Sequence, residues 1–321
     1  MKFIAELCQN HMGKTHNVEK ALEKCAENGA DIVKLQYINS KNLSFRARFE
    51  NGLIVNRKLY SIKRPYKKEF NRLKKLDLPK NFYSKFVKIC NKHGVKPLIT
   101  CFTKQDIKEI NDMGYENIKV ASYDCSSFSF LNDIKKKFKK IYVSTGATYD
   151  HEIERAAEIL KNLNYIFLHC VTIYPTPLNK INFARINYLK KFSKKVGFSD
   201  HSLAINQNKN LACELAIFFG AEYLERHIRL FSSEKTKDGV VSILPEDIKN
   251  LKNFSKLSKN DMKLYFKENY KLNEKKYFGK EKRELTDIEL LNRDYYKGRF
   301  VSKFFIRGRI IEVFNWEDLY N

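Results

Sequence analysis

No two of the seven cysteines stand in a CxxC pair, and their number is odd. Scatter of this kind argues against a disulfide-framed secreted scaffold and against a cysteine zinc site, and suits reduced thiols in the cytosol. No apolar run is long enough to cross a bilayer, so no membrane partner is expected. The chain opens MKFIAEL, which reads directly as a strand, and no signal peptide is expected. Low-complexity linkers are missing, as is any internal repeat beyond a strand–helix unit. Acidic residues are scarce: 37 Asp and Glu face 61 Lys and Arg, for a formal net charge of +24. An excess of that size raises nucleic acid as a partner. The pattern argues against it. Lys, Asn, Ile, Tyr and Phe are all abundant, as an AT-rich coding sequence would produce. The basic residues are spread along helices instead of gathering in one stripe, and KKKFKK at 135–140 reads as a solvated helix end. A small anionic substrate needs only a few of these charges.

What is present is an alternation. Apolar residues make up 43% of 321, enough for a sizeable core. Short apolar runs recur at 2–7, 31–36, 95–101, 117–122, 140–145, 165–170, 195–199 and 222–227. Between them lie helical patterns, such as VEKALEKCAENGA, which places Ala21, Leu22, Cys25 and Ala26 on one face and ends at Gly29. Another, DHEIERAAEILKNL, has Asp150 as its expected N-cap. Strands alternating with helices imply parallel pairing, and eight units predict an α/β fold, a (β/α)₈ TIM barrel. The connection 37–78 is long and basic, as lids and binding loops are. After Lys259 the apolar pattern thins, and RFVSKFFIRGRIIEVFNWEDL reads as a small β unit turning near Arg307–Gly308. The expected domains are therefore a catalytic barrel over 1–259 and a short extension over 260–321.

Barrel active sites lie at the C-terminal ends of the strands. The first run delivers Glu6, then Gln9, Asn10 and His11; the second gives Lys34 and Gln36, and the third Thr100. The fourth gives Lys119 and Ser122, the fifth Ser144 and Thr145, the sixth His169, Thr172 and Tyr174. VGFSDHS ends the seventh in Ser199, Asp200 and His201, and EYLERHIRL ends the eighth in Glu225, Arg226 and His227. Histidines at adjacent strand tips could share one metal ion with positions left open for substrate, or each could be a rim residue satisfied by a hydrogen bond. Lys34 and Lys119, set within apolar strands, are costly to bury without an anion. With Thr100, Ser122, Ser144 and Ser199 around them they describe a pocket for a phosphate and a carboxylate. A Schiff-base lysine, or a buried Lys–Glu pair such as Lys34 with Glu6, are the competing readings.

The segments IAELCQNHMG (4–13), NGADIVKLQ (28–36), IKVAS (118–122), VSTGAT (143–148), LHCVTIYPTP (168–177), VGFSDHS (196–202) and LERHIRL (224–230) occur in the order found in a known family. The chain resembles the sialic acid (N-acetylneuraminate) synthases, a family that includes the legionaminic and pseudaminic acid synthases. These enzymes condense phosphoenolpyruvate with an open-chain amino sugar to give a sialic-type acid for cell-surface polysaccharides. The resemblance implies a divalent metal, usually manganese, on His201 and His227. It implies a phosphoenolpyruvate site at Lys34, Thr100, Lys119, Ser122, Ser144 and Ser199. Sugar-binding and catalytic groups would be Glu6, Gln36, Tyr174, Glu225 and Asp238.

The acceptor this implies is N-acetylmannosamine or a diacetamido-trideoxyhexose, handled in the cytoplasm. A Kdo-8-phosphate- or DAHP-like synthase is an alternative, but it should show a second, dedicated anion site, and none is evident in the sequence. A catalytically lapsed barrel with a basic binding surface is another. The chain departs from the family's pattern at Thr172, where Asn is common, and in EKTKDGVV after the eighth strand, where Asp238 is the one matching acid. The extension looks like a truncated remnant of the family's antifreeze-like (SAF-type) domain, which reaches a partner subunit's sugar site in a homodimer. It lacks the RPG-type motif, with Arg299, Arg307 and Arg309 as possible substitutes for its arginine.

Overall fold

The computed structural model describes residues 1–318; the last residues of the extension, 319–321, lie outside that range. The barrel strands are β1 (Lys2–Glu6), β2 (Ile32–Gln36), β3 (Lys96–Cys101), β4 (Asn117–Val120), β5 (Lys140–Ser144), β6 (Tyr165–Cys170), β7 (Val196–Asp200) and β8 (Tyr223–Ile228). Each expected run is a strand, with ends displaced by two residues at most. Neighbours pair in parallel, and β8 closes onto β1 with Lys2 opposite Tyr223 and Glu6 opposite His227. A two-residue strand β9 (Ser242–Ile243) extends the sheet from β8. Every barrel strand is followed by a helix, from Thr15–Glu27 after β1 to Glu246–Phe254 after β8.

The helix after β1 ends as its sequence predicts. Gly29 sits at φ +87°, and the amides of Gly29 and Ala30 donate to Ala26 and Cys25, turning the chain into β2. The expected cap at Asp150 is displaced. Asp150 is the first residue inside its helix, and its carboxylate accepts from Arg185 at 2.7 Å instead. Tyr149 occupies the cap position, and Glu152 accepts from its backbone amide at 2.9 Å.

Strand periodicity of two sorts the side chains. One parity, including Phe3, Val33, Ile99, Ile118, Val143, Phe167 and Leu224, points outward into the core beneath the helices. The other parity fills the barrel. Ile4, Ile32, Leu98, Tyr142, Ile166, Leu168 and Tyr223 form an apolar plug at the N-terminal end. Gly197 shares this layer because a Cβ there would stand 2.4 Å from Leu168 Cδ2 and 2.7 Å from the Tyr223 carbonyl oxygen. One step further along each strand the inward residues become polar, so a charged cup rests on an apolar floor.

Residues after 259 do not separate from the barrel. Helix Lys259–Tyr270 buries Met262 and Phe266 in the barrel's outer core, and Tyr265 and Tyr270 donate to Glu214 at 3.1 and 2.8 Å. Helix Asp287–Tyr296 then crosses the barrel mouth. Asn292 donates to the Thr172 carbonyl at 2.7 Å, and Lys297 to Ser126 at 2.8 Å. The expected β unit is an antiparallel hairpin, β10 (Ser302–Ile306) and β11 (Arg309–Val313), with Arg307 and Gly308 at positive φ in its turn.

The 37–78 connection carries its own hairpin, Leu53–Val55 with Lys58–Ser61, and helix Tyr66–Lys74. Glu69 on that helix accepts from Arg72 at 2.9 Å and forms an ion pair with Arg299, clipping the connection to the extension. Burial alone would raise the Glu69 pKa, but the bonds and charges of Arg72 and Arg299 override it and bring it from 4.5 to about 2. A depressed carboxylate stabilises fully above its unfolded value and loses that contribution as pH falls through the folded one. Glu69→Gln should therefore cost about 3 kcal/mol near neutrality. The gap to wild type should close as pH falls from 4.5 towards 2. Denaturant titrations across that window check it; a gap independent of pH would remove Glu69 as the clip.

Candidate active site

A cavity of about 540 Å³ opens at the C-terminal ends of the strands, and all thirteen expected site residues line it. β1 and β2 contribute Glu6, Lys34 and Gln36; β3 to β5 contribute Thr100, Lys119 and Ser144, with Ser122 just beyond β4. β7 and β8 contribute Ser199, Glu225 and His227, with His201 just past β7; Tyr174 and Asp238 come from the loops after β6 and β8.

The floor of the cup is a network of buried charge. Lys34 Nζ lies 2.6 Å from Glu6 Oε2 and 2.8 Å from Glu225 Oε2. Ser199 donates to Glu225 Oε1 at 2.8 Å, and Lys119 Nζ stands 3.5 Å from the same oxygen while donating to Ser144 at 2.7 Å. The buried Lys–Glu pair raised as an alternative for Lys34 is thus present, within a larger set whose two ammonium groups and two carboxylates cancel. Burial alone would lower the Lys34 pKa; Glu225 and Glu6 override it and hold it above the ordinary lysine range. For Lys119 burial wins, aided by repulsion from Lys34, and its pKa falls. Burial would raise Glu225, yet Lys119, Lys34 and the Ser199 bond keep it well below the usual carboxylate range. Thr100 Oγ1 is buried in this wall with no hydrogen-bond partner among the described residues. Glu6 also accepts from the Cys8 amide at 2.6 Å and from Gln36 at 3.4 Å.

Above this network the two histidines face each other with ring centroids 5.3 Å apart, and Tyr174 packs on His201 at 4.2 Å. Burial, reinforced by His227, holds the His201 pKa far below its ordinary value, so the ring is neutral. His201 Nδ1 lies 3.3 Å from the Val171 carbonyl, and among the described residues no hydrogen bond engages its Nε2. Among the described residues, the buried His227 Nδ1 has no hydrogen-bond partner. An imidazole steadied on one nitrogen and free on the other is the donor a divalent transition ion takes. Among the described residues no cluster of three or more His, Cys, Asp or Glu side chains is arranged to hold an ion. A divalent ion held by this pair would have to take its remaining positions from other groups.

Parity decides which tip residues are excluded. Asp200 and Arg226 alternate outward, fully buried, and pair with each other. His169 also turns away, its Nε2 2.7 Å from the Ile181 carbonyl. Asn10 bonds Ile228 and Ser242, His11 approaches the Gly13 amide, and neither reaches the cavity. Cys170 follows the inward parity of Ile166 and Leu168, a signal sufficient to have found it. No comparable signal marks Cys8, held 3.1 Å from Asp238 Oδ2, or Arg64 and Arg72 from the 37–78 connection. Asn292, Tyr296 and Arg299 of the same chain's extension also line the cavity, where the resemblance implied a partner's tail. Arg307 and Arg309 lie on the exposed hairpin instead.

A closed parallel barrel whose mouth gathers two lysines, two carboxylates and two imidazoles defines a TIM-barrel enzyme with one charged cup. More particularly, the chain belongs to the NeuB family, which residues 21–263 match. It is 31% identical to the N,N'-diacetyllegionaminic acid synthase of Campylobacter jejuni over 77% of this chain and 73% of that protein. It is 27% identical to a pseudaminic acid synthase from another strain of that species, over 97% of this chain and 84% of that one. Its fold is like that of the N-acetylneuraminic acid synthetase of Leptospira borgpetersenii, with a TM-score of 0.68 over 91% of this chain and 90% of that one at 24% identity.

Proposed function

We propose that the chain condenses phosphoenolpyruvate with the open-chain aldehyde of an N-acetylated aldose, giving a nonulosonic acid and inorganic phosphate. The acceptor is N-acetylmannosamine or a diacetamido-trideoxyhexose, like those implied by the relatives' names. The observation that carries the reading is the convergence of Lys34, Lys119, Glu6 and Glu225 beneath His201 and His227 in one cavity of a NeuB-family barrel. Lys34 and Lys119, with the hydroxyls of Thr100, Ser122, Ser144 and Ser199, bind the phosphate and carboxylate and screen their charge. The unpartnered Thr100 hydroxyl is a donor waiting for such an anion. His201 and His227 hold a divalent ion, manganese by preference, which polarises the acceptor's aldehyde when bound.

C3 of phosphoenolpyruvate attacks the aldehyde carbon, whose oxygen takes up a proton, while cationic character develops at C2. Water adds at C2 and loses a proton, and the tetrahedral carbon expels phosphate by C–O cleavage, leaving the 2-keto acid. Glu225, held as a carboxylate by two lysines, is a poor base and positions their ammonium groups. Glu6, bound to Lys34 at 2.6 Å and lying beside Gln36, is placed to orient a hydroxyl. Gln36, Tyr174 and Asp238 contact the sugar. The enzyme works in the cytoplasm: all seven cysteines are free and buried, as suits a reducing compartment. No helix among the described residues is long and apolar enough to cross a membrane.

The test is phosphate release from phosphoenolpyruvate against a panel of N-acetylated hexosamines, with and without manganese after chelation. Release that requires both an aldose and the ion is expected. Equal release with chelator present would sink the metal assignment, and none under any condition the condensation itself.

A further inference from the structure

The loop after β8 carries Asp238 to the cavity, yet little in its own sequence fixes where that carboxylate points. SSEKTKDG (232–239) has no large apolar side chain to seat it by packing. The loop folds back on itself instead, so closely that a Cβ on Gly239 would collide with the Ser233 carbonyl. Its side-chain hydrogen bonds reach the loop after β1. Thr236 Oγ1 donates to Asn10 Oδ1 at 2.6 Å. Asn10 Nδ2 donates to Ser242 Oγ at 2.9 Å and to the Ile228 carbonyl at 2.7 Å. Ser242 Oγ in turn donates to the Asp238 carbonyl at 2.6 Å. One buried amide thus gathers both ends of the loop.

Cys8 does for the Asp238 carboxylate what Asn10 does for the backbone. Its Sγ donates to Asp238 Oδ2 at 3.1 Å and accepts from Gln36 Nε2 at 3.2 Å. Its amide donates to Glu6 Oε1 at 2.6 Å, and its φ is +45°. A side chain kept at positive φ is held there by its surroundings, and such positions cluster at functional sites. Burial, with the charges of Asp238 and Glu6, pushes the thiol up, so it stays protonated and donates. A thiol is a weak donor. It can orient a carboxylate and still leave the second oxygen free for a sugar hydroxyl.

On the condensation reading above, Asp238 and Gln36 contact the acceptor. We propose that Cys8 and Asn10 are positioning residues for that contact. Asn10 fixes the course of the loop, and the Cys8 thiol, anchored by Gln36, turns the Asp238 carboxylate into the cup. Among the described residues the side chains of this latch make no bond to Lys34, Lys119 or the hydroxyls around them. Its loss should therefore weaken one substrate and spare the other.

The experiment follows phosphate release by the full chain with manganese, varying phosphoenolpyruvate and acceptor in turn. N-acetylmannosamine and a diacetamido-trideoxyhexose serve as acceptors. Cys8→Gly deletes the thiol at a φ that glycine adopts freely. It should raise acceptor KM about tenfold and leave phosphoenolpyruvate KM unchanged. Cys8→Ser, whose hydroxyl can give and take the same bonds, should stay within about threefold of wild type. Thr236→Val keeps the shape and removes only the bond to Asn10. It should raise acceptor KM several-fold while the melting temperature holds to within a few degrees. In an Asp238→Ala background Cys8→Gly should add less than about twofold, because the group it orients is gone. A phosphoenolpyruvate KM that rises in step, a Cys8→Ser variant no better than Cys8→Gly, or an undiminished effect without Asp238 would overturn the inference and leave the condensation standing. Absence of phosphate release from the wild type with every acceptor would remove the condensation and the inference together.

Discussion

Replacing His201 with alanine should abolish manganese-dependent phosphate release while leaving the barrel folded. The ring's polar contacts are loose, Nδ1 sitting 3.3 Å from a backbone carbonyl and 3.5 Å from Cys170 Sγ, and its packing against Tyr174 is at the cavity wall, not in the barrel core. What the variant loses is one of the two donors that the proposed metal site possesses. A Lewis acid on a carbonyl is worth several kcal/mol of transition-state stabilisation, so a loss of about a thousandfold or more in kcat/KM is expected. Manganese binding to the variant, followed by titration calorimetry or electron paramagnetic resonance without substrate, should weaken in parallel. That second readout separates loss of the ion from loss of the fold. His227→Ala should behave alike, since its partnerless Nδ1 gives it no structural duty to lose. Turnover unchanged in either variant would end the two-imidazole assignment.

The barrel and its floor were legible because a period of two does two jobs at once. The residues that make VGFSD and YLERHI strands also determine that Ser199, Glu225 and His227 face inward. The same parity sends Asp200 and Arg226 outward into a buried pair, an outcome that reading the tip as three adjacent polar groups does not reveal. The rim was not legible. Arg64 and Arg72 sit in a connection with a hairpin and a short helix of its own, where no period reports a direction. Arg64, Arg72, Lys237 and Arg299 meet at the cavity from three separate segments of the chain, so no single stretch of sequence gathers them. Arg299 was visible as an arginine after the barrel; its place in the wall depends on Glu69, a long-range partner that composition and spacing do not specify. The extension looked separable from residue 260 onward because its apolar residues are sparse, yet Met262 and Phe266 are enough to seat its first helix in the barrel core.

Lys34→Met should inactivate the enzyme and destabilise it, and the two effects should come apart on further substitution. Lys34 lies between Glu6 and Glu225 at 2.6 and 2.8 Å, all three nearly inaccessible to solvent. Removing the ammonium leaves two carboxylates facing a thioether, with Lys119 near only one of them. Breaking a buried ion pair from one side costs about 3–5 kcal/mol, chiefly as uncompensated charge. Part of that cost is relieved if one carboxylate takes up a proton, so the variant should recover stability as pH falls from neutrality towards the carboxylate range. In the double variant Lys34→Met, Glu6→Gln the remaining Lys119 and Glu225 still pair at 3.5 Å and no charge is stranded, so most of the lost stability should return. Activity should not return, because the ammonium that screens the enol phosphate is gone. Melting temperature and phosphate release measured on wild type, single and double variants decide the matter. A double variant as unstable as the single one would show that the network is not an electrostatic unit. A single variant that still turns over would show that phosphoenolpyruvate sits elsewhere.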